Sequence, residues 1–79
     1  MTEKNTEPHY YDVVIYNDNK TPFDFIARLI RHVMGMSQYD AEEKARRIDR
    51  SGRHLFGPYP EPIARAVVEE ANRMISAAG

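Results

Sequence analysis

The chain contains no cysteine, so neither disulfide bonds nor cysteine-based zinc sites are available to it. Such a composition is typical of a reducing compartment, and we expect a cytoplasmic protein. No apolar run approaches the length of a membrane span. The formal net charge is only −1, so no overall field favours nucleic acid or an acidic membrane as a partner.

The beginning of the chain also lacks the features of a targeting signal. Met1–His9 is polar and includes two glutamates, without the basic start and apolar middle of a signal peptide. We predict a disordered tail over residues 1–9 and one folded domain over residues 10–79. A chain of 79 residues buries only about 60% of the surface that it exposes when unfolded, so the core is small.

Composition and periodicity predict a strand and two helices in the first part of the chain. Residues 10–16 are rich in the Tyr, Val and Ile that favour strands. Thr21 is predicted to cap helix one, with Pro22 in its first position and Asp24 in its first turn. The apolar stripe of this helix comprises Phe23, Phe25, Ile26, Leu29, Ile30 and Val33. Gly35 is predicted to end it, and the second helix is predicted to run from Ser37 to Gly52 and to bury Ala41, Ala45 and Ile48.

The last third predicts a short strand over residues 53–57 and a third helix from Tyr59–Pro62 to about Ala77. The predicted core face of this helix comprises Ile63, Val67, Val68, Ala71, Met74 and Ile75. The order β-α-α-β-α favours an α+β fold over a doubly wound sheet. We predict a small single-domain sandwich with the helices packed on one face of a short antiparallel sheet, because two strands alone are marginally stable.

Motifs for catalysis or metal binding are missing from the sequence. No serine or threonine lies in a nucleophile elbow, and His9, His32 and His54 have no partner at metal-ligand spacing. We therefore expect no enzyme, no metal and no cofactor. The basic row Arg46, Arg47, Arg50 and Arg53 is interpreted as a solvated helix face paired with nearby Glu, because no aromatic residues are interleaved to stack bases.

The polar segment Asn17-Asp18-Asn19-Lys20 separates the first strand from helix one. Asn and Asp bond their own backbone, so a structural turn alone explains this segment. The alternative is that the amide and the carboxylate accept hydrogen bonds from a cationic ligand, since charge-assisted bonds are about twice as strong as neutral ones. Phe23 and Ile26 follow at once, so a polar group lies beside an apolar patch.

The motifs taken together resemble the ClpS family. They are a strand, Asn-Asp-x-x-Thr-Pro, an aromatic-containing helix, Gly-Met, and later Gly-x-x-x-x-Gly-x-Tyr-Pro, over residues 11–72 without gaps. ClpS is the adaptor that recognises N-degrons and passes substrates to the ClpAP protease. The resemblance implies a binding module for the free α-amine and the bulky hydrophobic side chain of an N-terminal residue.

The family's binding positions fall on defined residues of this chain. Asn17 and Asp18 fall on the amine-binding pair, and Asp49 falls where the family has an amine-binding histidine. An aspartate accepts from an ammonium and adds a full opposite charge, but it does not switch near neutral pH as imidazole does. The side-chain pocket falls on Thr21, Phe23, Ile26, Ala45 and Ile48.

Three further departures from the family pattern carry expectations. The bulky gatekeeper, usually Met, falls on Ala45, so we expect a wider pocket that tolerates β-branched residues. Positions that contact the Clp unfoldase with charged residues fall on Pro62 and Val67, which makes that partner uncertain. The family's third strand lies beyond the end of this sequence, and a bare sheet edge would invite pairing with another chain. The alternative function is a ClpS-fold interaction module that no longer reads N-degrons.

Overall fold

A computed structural model describes residues 9–18 and 20–78 of the chain. Strand β1 is Tyr10–Tyr16, helix α1 is Phe23–Met34, helix α2 is Gln38–Ser51, strand β2 is Arg53–Pro60 and helix α3 is Glu61–Ala78. The predicted order β-α-α-β-α and the α+β class are confirmed. The predicted tail, apart from His9, lies outside the described residues, and the tail and domain boundaries remain predictions.

The two strands form one antiparallel sheet among the described residues. Val13 lies opposite Phe56 and Tyr16 opposite Arg53, and the register shifts between Tyr11 and Val13. Strand β2 is longer than the predicted 53–57, because residues that suggest a turn by composition, such as Pro58 and Pro60, remain in the extended strand.

Helix boundaries follow the predicted signals except at the start of α1. Gly35 ends α1 in the left-handed conformation, and the Ser37 side chain caps α2 by accepting from the amide of Asp40. The predicted N-cap Thr21 is wrong: Pro22 occupies that position and makes no side-chain capping bond. The reason is that Thr21 belongs to the preceding turn: its amide donates to the Asp18 carboxylate, 2.9 Å away, and its hydroxyl is engaged by the same carboxylate rather than by the helix.

The core lies where α1 and α2 pack together over β2. Its buried residues are Ile26, Ala27, Ile30, Ala41, Ala45, Ile48 and Phe56. Helix α2 therefore buries the face that its periodicity predicts, whereas α1 buries Ile26, Leu29 and Ile30 of its predicted stripe but leaves Phe23, in its first turn, exposed. Within this cluster, α2 supplies the small side chains of Ala41 and Ala45, and α1 supplies the larger side chains of Ile26 and Ile30.

Helix α3 is much less buried than its sequence predicts. Ala64 is its buried residue, whereas the predicted core residues Ile63, Val68 and Ile75 are about half exposed at 50%, 42% and 53%. A two-stranded sheet offers this 18-residue helix only a narrow contact surface. On the surface, His32 of α1 lies 2.9 Å from Glu70 of α3, and hydrogen bonds from Arg73 and then His32 lower the pKa of Glu70. None of the helices in the described part of the chain is both long and apolar enough to cross a membrane.

Replacing Gly57 by alanine is expected to destabilise the fold by roughly 2–3 kcal/mol. Gly57 has φ +127°, and an added Cβ would lie 3.1 Å from the carbonyl oxygen of Tyr11 in the neighbouring strand. Gly35→Ala is the matched control, because Gly35 also has positive φ, +67°, but has no atom within 4 Å of the added carbon. Urea denaturation measures the free energy of unfolding of both variants. An equal decrease in the two would contradict the steric argument.

Candidate ligand-binding site

The elbow between β1 and α1 is attached to the end of α2 through main-chain hydrogen bonds. The amide of Asn17 donates to the carbonyl of Gly52, 2.9 Å away, and the amide of Gly52 donates to the carbonyl of Ile48 at 2.7 Å. Because Gly52 closes α2, these bonds hold Asn17 beside the last turn of that helix. The last turn is the part of α2 that carries Asp49.

The Asp18 carboxylate organises the elbow itself. Its Oδ1 accepts from the amide of Lys20 at 3.1 Å and from the amide of Thr21 at 2.9 Å. Hydrogen bonds from the Thr21 hydroxyl and then from these amides lower the pKa of Asp18. The charged form that these donors favour therefore dominates at neutral pH. Asp18 therefore forms the structural turn that the sequence allows for this segment.

A small pocket opens where the elbow, the start of α1 and the end of α2 meet. The residues that line it are Asn17, Thr21, Phe23, Ile26, Ala45, Ile48 and Asp49. All of them were singled out from the sequence, and the structure brings them together. Asp18 is the exception, because it lines a neighbouring groove of about 480 Å³ instead, together with Lys20, Pro22, Asp24, Phe25, Arg28, Ile75 and Ala78. Thr21 borders both spaces.

The pocket combines a polar rim with an apolar floor. Asn17 and Asp49 supply an amide and a carboxylate, while Ile26, Ala45 and Ile48 are each at most 7% exposed. Within the described ranges, the Asp49 carboxylate forms no ion pair with Arg46, Arg53 or another cation. Asp49 is also exposed. A carboxylate in this position attracts a cationic group at the rim of the pocket.

The enclosed space is about 20 Å³, enough for about one water molecule. The alanine at position 45 was expected to widen the pocket, but Ala45 is 1% exposed and packs within the core. Phe23 forms part of the pocket wall and is 38% exposed. Phe23 is the first residue of α1 and is therefore the exposed apolar part of the wall, whereas Ile26, Ala45 and Ile48 are buried.

The neighbouring groove is the feature that the sequence did not reveal. It brings Ile75 and Ala78, at the end of α3, beside the elbow residues Asp18 and Lys20. No local sequence signal connects residues more than fifty positions apart. Across residues 9–18 and 20–78, no group of three or more acidic or histidine side chains is placed to hold a metal ion.

The family model and the individual relatives that match this chain name the same family. The family model described as "ATP-dependent Clp protease adaptor protein ClpS" matches residues 6–79. The ATP-dependent Clp protease adapter protein ClpS of Nitrosomonas eutropha is 34% identical over 67 residues, which cover 85% of this chain and 65% of that protein. The protein of the same name from Nautilia profundicola is 31% identical over 72 residues, covering 91% of this chain and 74% of that protein.

A third relative extends the match along nearly all of the chain. The ClpS adapter protein of Albidiferax ferrireducens is 30% identical over 78 residues, which cover 99% of this chain but 65% of that protein. The chain thus spans about two thirds of the length of several curated relatives. No solved structure matches the chain. Because the family model covers almost the whole sequence and the relatives agree with it, the chain belongs to the ClpS family of Clp protease adaptor proteins.

Proposed function

We propose that the pocket binds the N-terminal residue of a protein substrate, through its free α-ammonium group and its hydrophobic side chain. The observation that carries this proposal is the position of the Asp49 carboxylate, which lines the same small pocket as Asn17 and as the buried side chains of Ile26 and Ile48. An ammonium group requires acceptors, and a hydrophobic side chain gains by leaving water. One N-terminal residue supplies both groups at the required short separation.

The amine-binding roles divide between direct and indirect contacts in this proposal. Asn17 and Asp49 accept from the ammonium group at the rim. Asp18, which the family pattern assigns to the same task, acts instead by fixing the elbow, because its carboxylate accepts from the amides of Lys20 and Thr21. Its negative charge still favours a cation nearby through the longer-range field.

The apolar part of the ligand enters against Ile26, Ala45 and Ile48 after the Phe23 ring turns outward. This movement is required because the present space of about 20 Å³ is far below the size of typical ligand sites. A rotation of an exposed side chain occurs within nanoseconds, so it does not limit binding. The wider tolerance of β-branched first residues that Ala45 predicts depends on the same movement.

The bound substrate is delivered to a Clp protease in this proposal, as the names of the relatives indicate. At the positions predicted for charged unfoldase contacts, Pro62 is exposed and Val67 is half-buried. Contact with the unfoldase therefore depends on other residues. The cytoplasmic location expected from the sequence also remains a prediction.

A second candidate is an interaction module that does not read N-terminal residues. The small volume of the pocket favours it, as do the half-exposed apolar residues Ile63, Val68 and Ile75 on α3. In that case, binding uses the outer surface of the domain and is indifferent to the charge of the partner's amine. The two candidates therefore differ in one measurable property.

Acetylation of a peptide's N-terminus is expected to weaken its binding strongly. A labelled peptide that begins with phenylalanine is titrated with the full chain, once with a free and once with an acetylated amine, and fluorescence anisotropy reports binding. Loss of a charge-assisted contact to a carboxylate weakens binding by roughly tenfold or more. A peptide with glycine in first position and a free amine is the control for the hydrophobic contribution. Equal binding of the free and acetylated peptides would refute N-terminal recognition.

A further inference from the structure

A row of arginines lies next to the pocket on α2. We call Arg46, Arg47 and Arg50 the arginine stripe; all three are exposed and, with Glu43, line a surface groove of about 340 Å³. In the described part of the chain, none of their guanidinium groups forms an ion pair. The Glu43 carboxylate lies 3.9 Å from the Lys44 ammonium, so its charge is offset locally. The stripe therefore presents unmatched positive charge.

The stripe begins at the rim of the pocket. Arg46 precedes Asp49 by three residues, and residues three apart on a helix are surface neighbours about 5–6 Å apart. Arg50 follows Asp49 directly and is one turn beyond Arg46. A polypeptide that leaves the pocket past Asp49 along α2 therefore passes over Arg46 and Arg50 within a few residues, since each extended residue spans at most about 3.3–3.6 Å.

A histidine on the neighbouring strand β2 lies close enough to α2 for its positive charges, one of them from the stripe, to act on it. His54 of β2 has a lowered pKa, first because of burial and then because of the charges of Lys44 and Arg47. Positive charge from α2 thus reaches a neighbouring element despite solvent. Negative ligand charge would relieve this repulsion.

We propose that the arginine stripe binds acidic side chains located shortly after the N-terminal residue of the substrate, which makes the protein selective for hydrophobic N-termini followed by Asp or Glu. The proposal rests on the proposed function and adds a second determinant to it. Arginine suits this role because its planar guanidinium bonds a carboxylate through two parallel hydrogen bonds. The occupant is a protein segment, since the adjoining pocket accepts one hydrophobic side chain.

Three peptides with the same free N-terminal phenylalanine test the proposal. They carry three glutamates, three serines or three lysines at the third to fifth positions, and anisotropy titrations use the full chain. We expect the glutamate peptide to bind about 3- to 10-fold more tightly than the serine peptide, because exposed pairs each contribute modestly. The lysine peptide is expected to bind most weakly. The advantage should largely vanish at about 1 M salt, where the screening length is about 3 Å.

Matched variants assign the effect to the stripe. In the double variant Arg46→Gln with Arg50→Gln, the glutamate and serine peptides are expected to bind within about twofold of each other. Arg65→Gln with Arg73→Gln removes two arginines from α3, where each contacts a glutamate of the same helix. This control is expected to keep the full preference for glutamate.

The outcomes separate the inference from the proposed function. If the parent chain binds the glutamate and serine peptides equally, and acetylation still weakens peptide binding, the inference is wrong but the proposed function stands. Indifference to acetylation in all three peptides overturns the proposed function, and the inference with it. An oligonucleotide that displaces the glutamate peptide at lower concentrations than unlabelled glutamate peptide does would assign the stripe to nucleic acid and also overturn the inference.

Discussion

Replacing Asp49 by asparagine is expected to weaken binding of a phenylalanine-first peptide roughly tenfold or more. The substitution keeps the size of the side chain and one carbonyl acceptor, but it removes the negative charge that faces the ligand's ammonium group. Because Asp49 is exposed and has no ion pair in residues 9–18 and 20–78, its loss leaves no cation unpaired. The free energy of unfolding should therefore remain within about 0.5 kcal/mol of the parent value.

Two companion variants sharpen this experiment. Asp24→Asn removes a carboxylate that lines the neighbouring groove rather than the pocket, and it is expected to change peptide affinity by less than about twofold. Asp49→His introduces the residue that the family pattern has here, and it should bind the peptide better above its pKa of about 6.5 than below it, since only neutral imidazole accepts a hydrogen bond. If Asp49→Asn binds as tightly as the parent, Asp49 has no role in amine recognition.

Replacing Ile30 by alanine is expected to lower the free energy of unfolding by about 2–5 kcal/mol. Ile30 is 0% exposed and lies in the core cluster between α1 and α2. Its truncation removes apolar contacts and leaves a cavity that close-packed neighbours fill only in part. A domain of this length has a total stability of about 4–12 kcal/mol, so the variant loses a large share of it.

The measurement is urea denaturation followed by circular dichroism, with Ile63→Ala as the matched control. Ile63 has the same side chain but is 50% exposed on α3, so its truncation should cost less than about 1 kcal/mol. The Ile30 variant should also bind peptide less well at elevated temperature, because the folded fraction falls. Similar losses for the two variants would mean that α3 is packed more tightly than its exposure indicates.

The fold was largely predictable because local signals and hydrophobic periods agree in the first two helices. Gly35, Ser37 and Gly52 mark helix ends by backbone chemistry that acts within a few residues. The start of α1 differs from the predicted start by one position because the Asp18 carboxylate accepts from both the amide and the hydroxyl of Thr21, and only the three-dimensional arrangement shows that this hydroxyl is engaged. For α3, the sequence supplied an apolar face, but burial depends on how much sheet is available to cover it.

The pocket was predictable in membership but not in shape. Its lining residues lie on motifs whose spacing places them at the ends of β1 and α2 and at the start of α1. The sequence could not indicate that the Asp18 carboxylate is engaged by its own loop, since the same residue suits a turn and a ligand equally well. The volume was also unpredictable, because it depends on how the side chains of three different elements pack together rather than on composition.

The main-chain bonds at Gly52 have a consequence for how such a site evolves. Asn17 and the last turn of α2 are held together by backbone groups, through Gly52 and Ile48, and the side chain at position 49 takes no part in these bonds. Main-chain bonds therefore set the geometry of the rim, whereas the side chain at position 49 sets its charge. A lineage can exchange the group at position 49 in a single mutational step without rebuilding the scaffold. Under the proposed function, the same independence makes this rim a practical starting point for laboratory selection of new N-terminal preferences.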